Sequence, residues 1–275
     1  MFSLVEILDL KIAFLPFWVS LVIYLSVLAV IVAISLWRKW VTVSGAIAAF
    51  VLGLFILYIG GFTAFIILLF FFVAGSLMGK VSKSFNLLEK KGDKRDVFQV
   101  LANGLPALIA LLIFKFSSHK AAALVAYSAS LAEALADTWA GDIGRLSRKD
   151  PVSIITRTKV PKGISGGVTS LGFMGAMLAS LLIAMLYVGC VDFNLVGGAF
   201  VIVWGFLGSV FDSILGATIQ VQYRDGNGKL TEKGELDGKK LERVRGIPFV
   251  DNDMVNLLSG LFSMSFAYCC ALLLG

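Results

Sequence analysis

Histidine is almost absent from this chain of 275 residues: His119 is the single one, and cysteine occurs only three times. His119 stands beside Lys120 at the end of an apolar run and reads as a surface residue, so any chemistry here proceeds without an imidazole base. Cys190, Cys269 and Cys270 have neither the number nor the spacing of a disulfide framework or a thiolate metal site. Charge is scarce too, with Asp, Glu, Lys and Arg at 15% of residues against 58% hydrophobic and a mean hydropathy of +0.90. A soluble globular domain carries about 25% charged residues. The balance excludes one and marks an all-α polytopic membrane protein, a single integral domain over 1–275.

What is abundant is long apolar sequence. Runs at 16–37, 41–60, 61–79, 97–116, 120–140, 165–189, 194–221 and 252–274 approach or exceed the about 20 residues a bilayer requires, which predicts about eight spans. The first is too long for a signal-peptide core and lacks a small-residue cleavage site beyond it, so it stays as a span. Only Gly60 and Gly61 separate the second from the third, as a tight turn or a re-entrant hairpin.

Of the 24 Lys and Arg, all but Lys11, Lys115 and Lys120 fall in loops that eight spans put on one side. Basic residues collect in cytoplasmic loops, so 80–96, 141–164 and 222–250 are expected inside and both termini outside. The membrane is the cell membrane of a prokaryote or an organelle membrane. The net charge of +6 then serves topology and attraction to anionic lipid, with no nucleic acid required.

Acids inside these runs stand out, because a carboxylate near the bilayer centre costs roughly 2.5–3.5 kcal/mol on insertion scales. The fifth run carries Glu133 and Asp137 one turn apart, with Asp142 just beyond, next to a small-residue stripe of Ala122, Ala126, Ser130, Ala134 and Thr138. The seventh carries Asp212 among Gly205, Gly208, Ser209, Ser213 and Gly216, and the eighth opens with Asp251, Asn252, Asp253 and Asn256. Gln99 and Asn103 start the fourth, and Lys80 ends the third. With eight spans all of these converge at the cytoplasmic edge.

Between the fifth and sixth runs lies VPKGISGGVT, 160–169. It is no Walker A sequence. Its glycines Gly163, Gly166 and Gly167 nonetheless let successive amides turn toward an anion, Lys159 and Lys162 add charge, Thr169 closes the segment, and Ser165 with the start of the sixth span gives a helix N-terminus, itself an anion site. Further on, VQYRDGNGKLTE (221–232) reads as a polar hairpin that can act as a lid.

The segments ADTWAGDIG (136–144), TKVPKGISGGVTSLG (158–172), DSILGATIQ (212–220) and DNDMVN (251–256) resemble the motifs of the transmembrane-protein-19-type family. That integral membrane family was long catalogued as a domain of unknown function and includes the plant phytyl-phosphate kinase of tocopherol synthesis. The likeness spans about 40–275, with Asp142 where the family has Glu. It implies phosphoryl transfer from a nucleoside triphosphate, CTP first, to an isoprenoid monophosphate such as phytyl or geranylgeranyl phosphate. In that scheme Glu133, Asp137, Asp142 and Asp212 form the catalytic group. Asp137, Asp212, Asp253, Asn252 and Asn256 hold Mg²⁺, residues 159–169 cradle the nucleotide phosphates, and Lys80, Arg95 and Asn103 meet the acceptor phosphate. A secondary transporter and a CTP-dependent lipid cytidylyltransferase are the alternatives, and a homodimer stays open.

Overall fold

The computed structural model describes residues 3–85, 94–226, 228, 230–232, 234–236 and 238–274. Lys90, Lys91, Lys229 and Lys233, and the side chains of Lys83 and Lys239, all assigned above to basic loops, lie outside what is described. The helices are α1 (Leu4–Ala13), α2 (Phe17–Trp37), α3 (Val43–Phe85), α4 (Val97–Phe116), α5 (Lys120–Gly144), α6 (Ser170–Leu186), α7 (Leu195–Thr218) and α8 (Asn252–Leu274). Among the described residues six helices are long and apolar enough to cross a membrane: α2, α3, α4, α6 with its π-helical extension Tyr187–Val191, α7 and α8. The expected polytopic helical bundle is the observed one.

α3 is a hairpin rather than one rod. Gly61 takes φ 66° and ψ −167°, outside the helical region, a conformation L side chains avoid. A straight helix would hold positions 53 and 65 about 18 Å apart, yet a Cβ at Gly53 would stand 3.5 Å from Phe65 Cε2. The Trp40 and Phe72 rings likewise meet at 5.8 Å. The Gly60–Gly61 pair is therefore a tight reversal between two antiparallel arms. The new N-terminus it creates is capped from α1, where Asp9 accepts from the Phe62 and Thr63 amides at 2.7 and 2.8 Å. A carboxylate there meets both the orphan amides and the positive end of the helix dipole.

α5 is the axis of the bundle and packs against α3, α4, α6, α7 and α8. Its composition explains why. The stripe Ala122, Ala126, Ser130 and Ala134 is buried along its length, and small side chains let neighbouring helices approach in an apolar solvent where no hydrophobic drive operates. Ser263 of α8 stitches the centre, its hydroxyl lying 3.0 Å from Ala129 O on α5 and 2.9 Å from Trp204 O on α7. α2 lies outermost and packs on α3.

Small strands decorate one end. β1 (Val152–Ser153) pairs antiparallel with β2 (Gly167–Val168) and closes the 145–169 loop. β3 (Gln222–Arg224), β4 (Leu230–Thr231) and β7 (Glu242–Arg245) form a three-stranded sheet in the order β4-β3-β7, while β5 (Glu235–Leu236) pairs with β6 (Lys239–Lys240). The expected 221–232 hairpin is the β3–β4 pair, Tyr223 opposite Thr231. Arg245 ties this sheet to the membrane part by donating to the Ala217 and Gly216 carbonyls at 2.9 and 3.1 Å, orphan acceptors at the end of α7. Ser3 Oγ donates to Cys190 O at 3.4 Å, and α8 runs away from Asn252. Both chain ends therefore lie at the end of the bundle opposite these strands.

Candidate functional site

Three helices meet around a buried carboxylate group at the strand-bearing end. Glu133 is 2% exposed and Asp212 9%. The Ser259 hydroxyl of α8 lies 3.1 Å from Asp212 Oδ2. Asp137, one turn above Glu133 on α5, lines the same cavity as Asp212 on α7, close enough for the two charges to interact. Two carboxylates so placed repel unless a proton or a cation sits between them. That the chain spends α5, its most buried helix, on holding them together is the first sign of a site.

Above this group opens a cavity of about 570 Å³. Its mouth is polar, with Lys80, Lys94, Arg95, Asp96, Asp142, Arg145 and Asp253 among the lining groups, and its inner part is apolar, walled by α2 and both arms of α3. Arg95 is the most firmly built of these groups. Its backbone is clamped to the 40–42 segment by Thr42 N to Arg95 O at 3.0 Å and Arg95 N to Trp40 O at 3.1 Å. Its guanidinium lies 5.3 and 5.4 Å from the Phe71 and Phe72 ring centroids. Glycine at position 75 leaves room for this seat, because a Cβ there would stand 2.6 Å from Arg95 Nη2 and displace it. Burial pulls the guanidinium down to about 10 while Asp142 pushes it back up, so it is a cation at neutral pH. Lys80 Nζ lies 5.4 Å from the Trp40 ring, and Asn103 Nδ2 donates to Gln99 O at 2.9 Å on the α4 wall.

A second cavity of about 200 Å³ also borders Asp137, lined by residues 162–169 together with Ser209, Asp212 and Ser213 of α7. The two share one wall: Asp137, Gly141, Arg145, Gly163, Ser165 and Asn252. Gly163 (φ 84°) and Gly166 (φ 81°) both take left-handed backbone.

The structure brings together Asp137, Asp142, Asp212, Asn252, Asp253, Asn256, Lys80, Arg95 and Asn103 around the two cavities, with Gly163, Ser165, Gly166, Gly167, Thr169 and Lys162 on the smaller one. Several expectations change. Lys159 points away, paired with Asp150 at 3.5 Å in an exposed salt bridge. Lys162 lines the smaller cavity, with its Nζ donating to Ser147 O at 2.7 Å. Ser165 is not at a helix start. α6 begins at Ser170, its N-cap Thr169 takes the Gly172 amide at 3.0 Å, and Ser165 Oγ instead donates to Glu232 Oε1. Gly166 is a packing glycine, since a Cβ would fall 2.6 Å from Ala217 Cα on α7. Gly167 is part of β2 and shows no left-handed φ. Glu133 lines neither cavity and lies a turn deeper.

Among the described residues no three His, Cys, Asp or Glu side chains are grouped as a metal site, and the proposed ligands divide between the two cavities. Mg²⁺ is commonly held by one or two carboxylates with substrate phosphates and water completing the shell. The all-oxygen set of Asp137 and Asp212 fits that mode and no protein-only cage. Sequence reasoning missed Glu232, Ser259 and Arg145. Ser259 was legible as the i+3 partner of Asn256 on the α8 face. A lone acid just past a hairpin strand, such as Glu232 after β4, carries no such signal.

The comparisons agree with a membrane bundle of this kind. An uncharacterized membrane protein of Methanocaldococcus jannaschii is 36% identical over 187 residues, 64% of this chain and 73% of that protein. Protein PGR of Arabidopsis thaliana is 28% identical over 253 residues, 81% of this chain and 86% of its own length. An uncharacterized membrane protein of Synechocystis is 29% identical over 209 residues, covering 74% and 81%. No solved structure matches. The family described as Integral membrane protein DUF92 matches residues 26–264, nearly the whole bundle from α2 to α8, and the chain belongs to that family.

Proposed function

We propose that the chain is a membrane prenyl-phosphate kinase that moves a phosphoryl group from CTP, with Mg²⁺, to an isoprenoid monophosphate. The observation that carries the reading is the pair of cavities meeting at Asp137, one small and lined by the glycine-rich 162–169 loop, the other lined by polar groups at one end and apolar ones at the other. A nucleotide's phosphates suit the first and a lipid phosphate the second. The likeness of the 136–144, 158–172, 212–220 and 251–256 segments to the family that includes phytyl-phosphate kinase supports the same assignment.

Phosphoryl transfer is catalysed chiefly by positioning and charge neutralisation. An oxygen of the acceptor phosphate attacks the terminal phosphorus of CTP, the bond to the bridging oxygen breaks, and CDP leaves with that oxygen. The acceptor oxygen is already an anion, so no base is needed, in keeping with a chain whose one histidine lies at the far end of α4. Asp137 and Asp212 would hold Mg²⁺, which neutralises the transferred charge. Arg95 and Lys80 orient the acceptor phosphate, Arg145 stands at the shared wall where charge develops, and Gly163 lets the 162–166 backbone approach the nucleotide. Glu232, bonded to Ser165, places the hairpin over the mouth as a lid. The basic loops put this end in the cytoplasm and both termini outside.

Purified protein with Mg²⁺, CTP labelled at the terminal phosphate and geranylgeranyl monophosphate tests this. The label is expected on the lipid, with release of CDP. A CMP-lipid with free pyrophosphate would make the protein a cytidylyltransferase. No product, together with ion-driven uptake by vesicles, would make it a transporter.

A further inference from the structure

The inner part of the larger cavity ends at a defined depth. On α2 its lining runs Ser35, Val32, Ile31 and stops at Leu28; on the first arm of α3 it stops at Leu52, and on the second arm at Phe65. These three side chains are 2%, 5% and 4% exposed and sit over glycines, Leu28 and Phe65 over Gly53 and Leu52 over Gly104 of α4. A Cβ at Gly53 would stand 2.7 Å from Leu28 Cδ2 and 3.5 Å from Phe65 Cε2, and one at Gly104 would stand 3.4 Å from Leu52 Cγ. The floor is thus leucine and phenylalanine seated directly on helix backbone, with no polar group. Phe65 lies seven residues from Phe72, whose ring carries the Arg95 guanidinium, so the apolar shaft continues about 10 Å below the cation.

A cation at the mouth and a closed apolar shaft beneath it fit one amphiphile, a phosphate headgroup on a hydrocarbon chain that ends inside the protein. We propose that Leu28, Leu52 and Phe65 form a floor that sets the longest chain the acceptor can carry. This rests on the lipid-phosphate reading above and adds the groups that choose among such lipids. A chain one unit too long meets this floor and lifts its phosphate away from Arg95. Apolar pockets discriminate modestly, by about 10–200-fold for one methylene, and selection by length is expected on that scale.

Two variants move the floor in opposite directions. Leu52→Ala deepens the shaft, whereas Ala49→Leu, on the same face one turn nearer the mouth, shortens it. The full-length protein in detergent is assayed with prenyl monophosphates of two to five isoprene units, once for transfer from CTP and once for binding alone by native mass spectrometry, with the unfolding midpoint of each variant recorded. Leu52→Ala should raise the preference for the longer over the shorter lipid about tenfold, and Ala49→Leu should lower it about tenfold. Transfer with an unchanged length profile in both folded variants overturns the floor and leaves the kinase reading standing. A shifted profile in binding without transfer supports the floor and removes the kinase. Binding of no monophosphate at any length overturns both.

Discussion

Replacing Arg95 by methionine removes one charge while keeping a flexible apolar chain to lie across Phe71 and Phe72, whose ring centroids are 5.3 and 5.4 Å from the guanidinium. The backbone clamp to Trp40 and Thr42 does not involve the side chain, so the loop should hold its place. A hydrogen bond to a charged group contributes about 1.5–3 kcal/mol, which at 1.4 kcal/mol per decade lowers acceptor affinity about ten- to hundredfold. The Michaelis constant for the lipid monophosphate should rise by that factor, and that for CTP, which the proposal seats in the smaller cavity, should not move. Gly75→Ala offers an independent route to the same effect: its new methyl would stand 2.6 Å from Nη2 and push the guanidinium off its seat with the charge retained. Initial rates at saturating CTP over a range of geranylgeranyl monophosphate, with unfolding midpoints alongside, measure both. An unchanged acceptor constant in a folded Arg95→Met protein, or an equal loss for both substrates, would refute the assignment of Arg95 to the acceptor.

Asp137→Asn should abolish turnover while leaving the unfolding midpoint level or higher, because it removes a like-charge contact with Asp212 at nearly constant volume; near-normal turnover would end the metal role. Gly166→Val should damage folding first. It forces a branched residue into φ 81°, at about 1–2 kcal/mol, and into Ala217, at about 1–3 kcal/mol, so its yield and midpoint should fall below those of Gly163→Ala, and equal losses would contradict the packing role. In a protein lacking Cys190, Cys269 and Cys270, Ser213→Cys should react with an impermeant thiol reagent from the cytoplasmic face alone, slowed by CTP with Mg²⁺. Labelling from the outside of sealed right-side-out vesicles contradicts a one-sided site.

Hydropathy and charge are written along the chain, so whatever depends on them was legible without coordinates. The apolar runs located α2 to α8 but not α1, missing the end of α3 and the start of α6 by more than a turn, and the small-residue stripe on α5 marked the helix that became the axis. Asp137 and Asp212, acids that apolar helices do not carry without cause, marked the depth and the side of the site. The break at Gly60–Gly61 was legible as a break, because no other residue types separate those two runs.

Apposition is another matter, since it depends on which residues fold back upon which. Whether Gly61 turns a tight reversal or a re-entrant loop was decided by Asp9, fifty residues away, capping the second arm. Arg95 and Lys159 look alike as basic loop residues; one is wedged over Phe71 and Phe72 beside a glycine, and the other pairs with Asp150 in water. The glycines of the 163–167 loop read as one phosphate cradle, but only contact with α7 shows that Gly166 is needed for packing, while Gly163 stands on the wall the two cavities share. Sequence determines what each side chain can do, because its chemistry is its own. Tertiary structure decides which of them act together, because a site is a set of distances between segments that the chain itself keeps far apart.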